Sequence, residues 1–281
     1  MDAEHRGSEL SAKSTVQIEW LPTVGSTNDE LRTRFVADPD GLAQFATIAT
    51  LAQTAGRGRL DREWIDTPQA SLAMSTVVAL PASIAREHIG WVPLVAGAAL
   101  LATLEALAPS CTCALKWPND VLIEGRKVAG ILGEMLGVVD GGDTFVCVVG
   151  TGVNLAKSAG DLPEATSLAE HGIDIDAEQL AQHYVAELTD RIQTLRESGD
   201  AVASGLYAQL CQRLDTIGRP VRVVLADGET REGVAEGLEH DGRLRVRPDE
   251  GEPFSVHAGD VTHLRIAPSA SETETPPKEG A

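Results

Sequence analysis

Aromatic residues are scarce in this chain: Phe, Trp and Tyr make up 4% of 281 residues. Any stacking surface must therefore be built from a few individual rings. Basic residues are also few, with 23 Lys and Arg against 42 Asp and Glu and a formal net charge of −19. Such a charge repels a phosphate backbone, so nucleic-acid binding by broad electrostatics is not expected and any anion site must be local. Cys111, Cys113, Cys147 and Cys211 form no C-x-x-C pair and have no histidines at zinc-finger spacing. Reduced thiols in a cytoplasmic protein fit that pattern. The opening residues lack the apolar core of a signal peptide, and the stretch from Trp91 to Leu107 is interrupted by Pro93, Gly97 and Glu105. A soluble chain with no membrane partner is expected.

What is present is an α+β pattern. VQIEWL, ATIATLA, SLAMSTVVAL and DTFVCVVGTGVNL have the β-rich composition of strands. CTCALKWPNDVLIEGRKVAGILGEML suggests two strands joined at Glu124-Gly125. GSTNDELRTRF opens a helix, with Thr27 and Glu30 in capping-box register. Arg86 to Ala108 has helical periodicity, and Ala177 to Leu214 gives two helical segments broken near Ser198-Gly199-Asp200. Past Ile217-Gly218 the composition shifts to short alternating strands, with hairpin signals at Asp227-Gly228 and Asp241-Gly242. The expected organisation is a disordered N-terminus (1–15), a mixed-sheet main domain (16–217), a small β-barrel (218–267) and a disordered tail (268–281).

Three stretches carry chemistry. In QTAGRGRLDREW, Gln53 to Trp64, Gly56 and Gly58 allow close backbone approach, while Arg57, Arg59 and Arg62 offer forked donors to phosphate or carboxylate. The loop is neither a P-loop nor a dinucleotide fingerprint, since G-x-x-x-x-G-K-[ST] and the third glycine are both missing. Ser26, Thr27 and Asn28 stand at a helix start, where free N–H groups and short polar side chains can hold a polar ligand head. KWPNDVLIEGRKVAGILGE brings Lys116, Asn119, Asp120, Lys127 and Gly130 into one hairpin, with Asp120 and Lys127 directed toward one cleft. Gly150-Thr151-Gly152 with Asn154 repeats the combination of thin backbone and one amide side chain. No set of residues stands out as a metal site.

In this order and spacing, S-T-N, G-R-G-R-x-x-R-x-W, K-W-P-N-D…K-x-A-G-I-L and G-x-G-x-N resemble the biotin protein ligases, over roughly residues 16–266. The resemblance implies the biotin/lipoyl ligase type of catalytic domain with an SH3-like C-terminal β-barrel. It implies an enzyme that makes biotinyl-5′-adenylate from biotin and ATP, with Mg2+ accompanying the ATP. The biotinyl group then passes to a lysine of a biotin carboxyl carrier domain of an acyl-CoA carboxylase. By the same resemblance, Ser26, Thr27, Asn28, Gln53, Gly56, Arg57, Lys127 and Gly130 would line the biotin site. Arg57, Gly58, Arg59, Arg62, Trp64, Lys116, Asn119, Lys127 and Asn154 would hold ATP or the adenylate. Lys127, Asp120 and Arg57 would carry the catalysis.

Leu60 and Asp61 depart from relatives that have further basic residues in this loop. Only a short segment precedes the first strand, so the helix-turn-helix of the repressor-type members is not expected. The rival enzyme reading is a lipoate or octanoate ligase or transferase, and the rival from another class is a biotin-responsive binding protein without catalysis.

Overall fold

The computed structural model describes residues 17–59, 62–64, 68–156, 164–224 and 229–256, with the backbone of 263–266. The expectations for both chain termini, for Leu60 and Asp61, and for the Asp227-Gly228 turn fall outside these residues. The first part of the chain contributes β1 (Ile18–Trp20), α1 (Thr27–Ala37), β2 (Thr47–Thr50), β3 (Ser71–Pro81), α2 (Ala82–His88), α3 (Trp91–Leu107), β4 (Cys113–Lys116), β5 (Asp120–Ile123), β6 (Arg126–Val139) and β7 (Thr144–Asn154). It is followed by α4 (Ala177–Ser198), α5 (Leu206–Arg213), β8 (Pro220–Val224), β9 (Thr230–Leu238), β10 (Leu244–Arg247), β11 (Phe254–Val256) and β12 (His263–Ile266).

The larger sheet has the order β1-β2-β3-β7-β6-β5-β4. Its β1–β2 pair is parallel and its other pairs are antiparallel, so the sheet is mixed. Both faces are covered, and strand periodicity divides the work. On β3 and β7, Leu72, Met74, Val78, Cys147, Val149 and Val153 face the cluster formed with α2, α3, α4 and α5. Val77, Val146 and Val148 point the other way, onto Leu31 and Phe35 of α1. Residues of the same parity as Val146 and Val148 therefore face α1, and this side of the sheet becomes the site.

Four local expectations need correction. The helix expected from Arg86 to Ala108 is two helices, α2 and α3, bent by 82° at Ile89-Gly90. The two strands expected around K-W-P-N-D are three, because the turn at Trp117-Pro118-Asn119, with its cis Trp117–Pro118 bond, separates β4 from β5. A proline with no N–H cannot continue the ladder there. Glu124 and Gly125, both at positive φ, then make the tight turn from β5 to β6. At α1 the capping residue is Ser26 rather than Thr27: its Oγ accepts from the Asp29 N–H at 3.4 Å.

The fourth correction concerns the expected barrel. Strands β8 to β12 form an antiparallel sheet in the order β11-β10-β9-β8-β12. Its edge strands, three and four residues long, do not pair with each other, so the sheet is open. Val221, Val223, Ala235, Leu238, Leu244, Val246 and Val256 join the same apolar core as α3 and α4. Two indole N–H groups fasten its β9–β10 turn: Trp91 Nε1 donates to the His240 carbonyl at 2.8 Å, and Trp117 Nε1 to that of Gly242 at 3.1 Å.

No single helix among the described residues is long and apolar enough to cross a membrane. The bent α2–α3 pair passes by length and composition, but it is core: Trp91, Val95, Ala96, Ala99, Leu100 and Leu104 are fully buried.

Candidate active site

The site can be built from strand register. Asp120 of β5 lies opposite Gly130 of β6, which lies opposite Gly152 of β7, which lies opposite Ala73 of β3. One row along, Leu132 faces Gly150, and Gly150 faces Ser75. The α1 side of these rows thus carries glycines where side chains would otherwise stand, and main chain forms the floor. Trp64 from the arginine loop lies over that floor. A Cβ on Gly152 would fall 2.6 Å from Trp64 Cε2 and Cζ2, and one on Gly130 would fall 3.1 Å from Trp64 Cζ3. At Gly152 only glycine lets the indole come this close, and at Gly130 a side chain would press the ring back by a few tenths of an ångström.

At the rim, Lys127 Nζ meets Asp120 Oδ1 at 2.7 Å and stands 5.8 Å from the Trp64 ring centroid. Lys127 is held on both sides by main chain: its N–H donates to the Glu164 carbonyl and its own carbonyl accepts from Thr166. The Asn154 amide Nδ2 donates to the Thr166 carbonyl at 2.9 Å. Asn154 therefore braces this connection.

Arg59 turns inward. Its Nη1 donates to Asn119 Oδ1 at 3.1 Å, while Asn119 Nδ2 donates to the Ile131 carbonyl at 2.9 Å. Burial pushes the Arg59 guanidinium below its usual pKa; Asp120 works against this shift and Arg62 adds to it. Two buried donors of the loop, Arg59 Nη2 and Trp64 Nε1, have no hydrogen-bond partner among the described residues. Buried polar groups in native proteins are normally satisfied, so unsatisfied donors beside a lysine mark where an acceptor-rich ligand would bind.

At the other end, the Thr27 N–H and Oγ1 both direct hydrogens to Gln53 Oε1, at 2.9 and 3.2 Å. The Ser75 hydroxyl sits 2.7 Å from Thr27 Oγ1 and from Asn28 Oδ1. Asn28 Nδ2 donates to Glu134 Oε2 at 2.7 Å. Arg57 is not directed at the floor. Its Nη2 lies 2.7 Å from Asp29 Oδ1 and 2.7 Å from Glu134 Oε2, and Arg32 reaches Glu134 as well at 3.2 Å. Gly56 packs between Gln53 and Trp64, and the Gly58 N–H closes the loop onto the Arg62 carbonyl at 2.7 Å. Lys116 ends β4 opposite Asp120 and lines a recess with Pro93, Leu94 and Leu214.

The structure therefore gathers Thr27, Asn28, Gln53, Gly56, Arg59, Trp64, Asn119, Asp120, Lys127 and Gly130 about one floor. Ser26 serves as the α1 cap, and Arg57 is engaged by carboxylates. Ser75, Glu134 and Asp29 were missed from the sequence. Strand parity held the signal for Glu134, because it shares its face of β6 with Gly130 and Leu132.

The site thus combines an antiparallel-rich sheet with a glycine floor, an arginine loop above it and a lysine–aspartate pair at its rim. Residues 26–154 match the Biotin/lipoate A/B protein ligase family, and residues 216–264 match the Biotin protein ligase C terminal domain. The chain is 36% identical over 255 residues to the biotin–[acetyl-CoA-carboxylase] ligase of Mycobacterium tuberculosis, covering 89% of this chain and 90% of that protein. It is 32% identical to the bifunctional ligase/repressor BirA of Escherichia coli K12, over 82% of this chain and 68% of that one. The structure of the Aquifex aeolicus biotin protein ligase in complex with biotin and ATP superposes with a TM-score of 0.70 at 24% identity, covering 89% of this chain and 99% of that one. The chain belongs to the biotin protein ligase family.

Proposed function

We propose that this enzyme joins biotin to ATP as biotinyl-5′-adenylate and then transfers the biotinyl group to one lysine of a biotin carboxyl carrier domain. In the first step a biotin carboxylate oxygen attacks the α-phosphorus, the bond to the bridging oxygen breaks, and pyrophosphate leaves. In the second, the acceptor amine attacks the acyl carbon, AMP leaves with its phosphate oxygen, and the amine loses a proton. Both steps build negative charge on oxygen, where a fixed cation contributes most.

The observation that carries this reading is the pair of buried, unsatisfied loop donors, Arg59 Nη2 and Trp64 Nε1, beside Lys127 above a floor of bare main chain. On this reading Lys127 stabilises the charge passing between carboxylate and α-phosphate, and Arg59 and Arg62 receive phosphate oxygens. Thr27, Asn28 and Gln53 meet the polar head of biotin, with Ser26 holding their helix start in place. Trp64 flanks the adenylate, Asn119 and Asn154 fix the strand ends around it, and Lys116 supplies positive charge at the outer end of β4. Asp120 takes the acceptor lysine's proton, since an ammonium is not a nucleophile. Mg2+ accompanies ATP. Asp29, Asp120 and Glu134 each already face a cation of the chain, so the metal's ligands on this reading are mainly phosphate oxygens and water. An acyl-CoA carboxylase carrier is the proposed acceptor and the cytoplasm the proposed location.

The test separates the half-reactions. With a biotin carboxyl carrier domain added, Asp120→Asn is expected to keep pyrophosphate release while slowing acceptor biotinylation about 10²–10⁴-fold, as read by the acceptor's mass. Equal loss of both steps would contradict the assigned role.

A further inference from the structure

On the helix-covered face of the larger sheet, three separate segments converge on a group of donors that the ligase chemistry does not use. His88 ends α2 and is 2% exposed, and its Nδ1 is buried without a hydrogen-bond partner among the described residues. Asp200 follows α4. Its Oδ1 accepts from the Ala203 N–H at 2.6 Å, while its Oδ2 lies 3.4 Å from His240 Nε2 and 3.8 Å from His88 Nε2. Glu87 Oε2 lies 3.5 Å from His240 Nε2. One donor atom from each of Glu87, His88 and His240 fits within 4.8 Å of the others, and the two imidazole rings meet edge-on with centroids 4.7 Å apart.

We propose that His88, His240, Asp200 and Glu87 form a zinc site that fastens the β9–β10 turn to α2 and to the segment after α4. Zinc bonds of about 2.0–2.1 Å in a tetrahedron set donors roughly 3.3–3.4 Å apart, near the 3.4 and 3.5 Å that separate His240 Nε2 from Asp200 and Glu87, while the 3.8 Å from His88 Nε2 to Asp200 must shorten on binding. Two imidazoles and two carboxylates suit zinc, whereas calcium and magnesium call for all-oxygen shells. Two carboxylates also balance the charge of a divalent ion. The geometry is held before any ion arrives, because the His240 carbonyl accepts from Trp91 Nε1 at 2.8 Å.

The test uses the full chain, freed of metal, titrated with Zn2+ against a chromogenic chelator and separately with Co2+. Expected are one tight equivalent and the visible absorption of tetrahedral Co2+. His240→Gln and Asp200→Asn, at more exposed positions than His88, should each lower zinc affinity by at least about tenfold. Zinc should raise the melting temperature of the unsubstituted protein but not that of the variants. Biotin-dependent pyrophosphate release, followed on the same samples, should be unchanged by His240→Gln, so the outcome does not depend on the ligase assignment. Failure to hold zinc against the chelator would overturn the proposal. So would unchanged zinc affinity in both variants, which would put the ion on other histidines.

Discussion

Lys127 and Asp120 meet at 2.7 Å where a bare strand floor ends, and the chemistry proposed above rests on that pair. Lys127→Ala should lower biotin-dependent pyrophosphate release by about 10²–10³-fold, the usual cost of losing one group that stabilises developing charge. The circular dichroism spectrum should stay unchanged, because the side chain is partly exposed and packs no core. Arg57 plays a different part, since it ties the loop to Asp29 and Glu134. Arg57→Ala should therefore speed the escape of free biotinyl-adenylate more than it slows its formation, as followed by trapping the released intermediate. Gly152→Val would drive a side chain into the Trp64 ring and should cost adenylation with little loss of secondary structure. The charged partners Asp120 and Lys127 were legible in the sequence because a short hairpin carries both. Glu134 and Asp29 were not, because their meeting with Arg57 depends on the register of β6 and on the position of α1. Ser75 was hidden inside an apolar strand.

Among the elements, strands marked by β-rich runs were the most legible, and their boundaries failed where a single residue interrupts a pattern. Pro118 splits one expected strand into β4 and β5, and the α2–α3 bend divides a continuous helical period. The capping pattern pointed to Thr27, but Thr27 donates to Gln53 and leaves the cap to Ser26. Ser26→Ala should accordingly cost about 1 kcal/mol of stability by loss of the cap, measurable by urea denaturation. The C-terminal strands were expected to close into a barrel, a property of edge-strand length and bending that composition does not encode. This sheet docks through the apolar core it shares with α3 and α4, and the two indole N–H donors reaching the β9–β10 turn add to that. Trp91→Phe keeps the ring and removes one donor, so amide exchange in that turn should accelerate by about the value of one hydrogen bond, roughly 1 kcal/mol.

Across the whole molecule, a net charge of −19 surrounds a small basic site, and the two do not conflict because the cations act at contact distance. The same interior governs response to alkali. Burial pushes the Cys113 thiol to about 11 and the Cys147 thiol to about 12, from an ordinary value of 9.0. Their folded values lie above the unfolded one, so the stability they contribute is intact below pH 9 and is lost as pH rises from 9 through 11 and 12. Denaturation midpoints should hold steady below pH 9 and fall above it; a flat alkaline limb would contradict the burial of these thiols. The most direct test of the central claim is pyrophosphate release from ATP without acceptor, offered biotin, lipoate or octanoate in turn. Release with biotin alone, lowered about 10²–10³-fold by Lys127→Ala, is the predicted result. Release with lipoate or octanoate instead, or none with any acid, would contradict it.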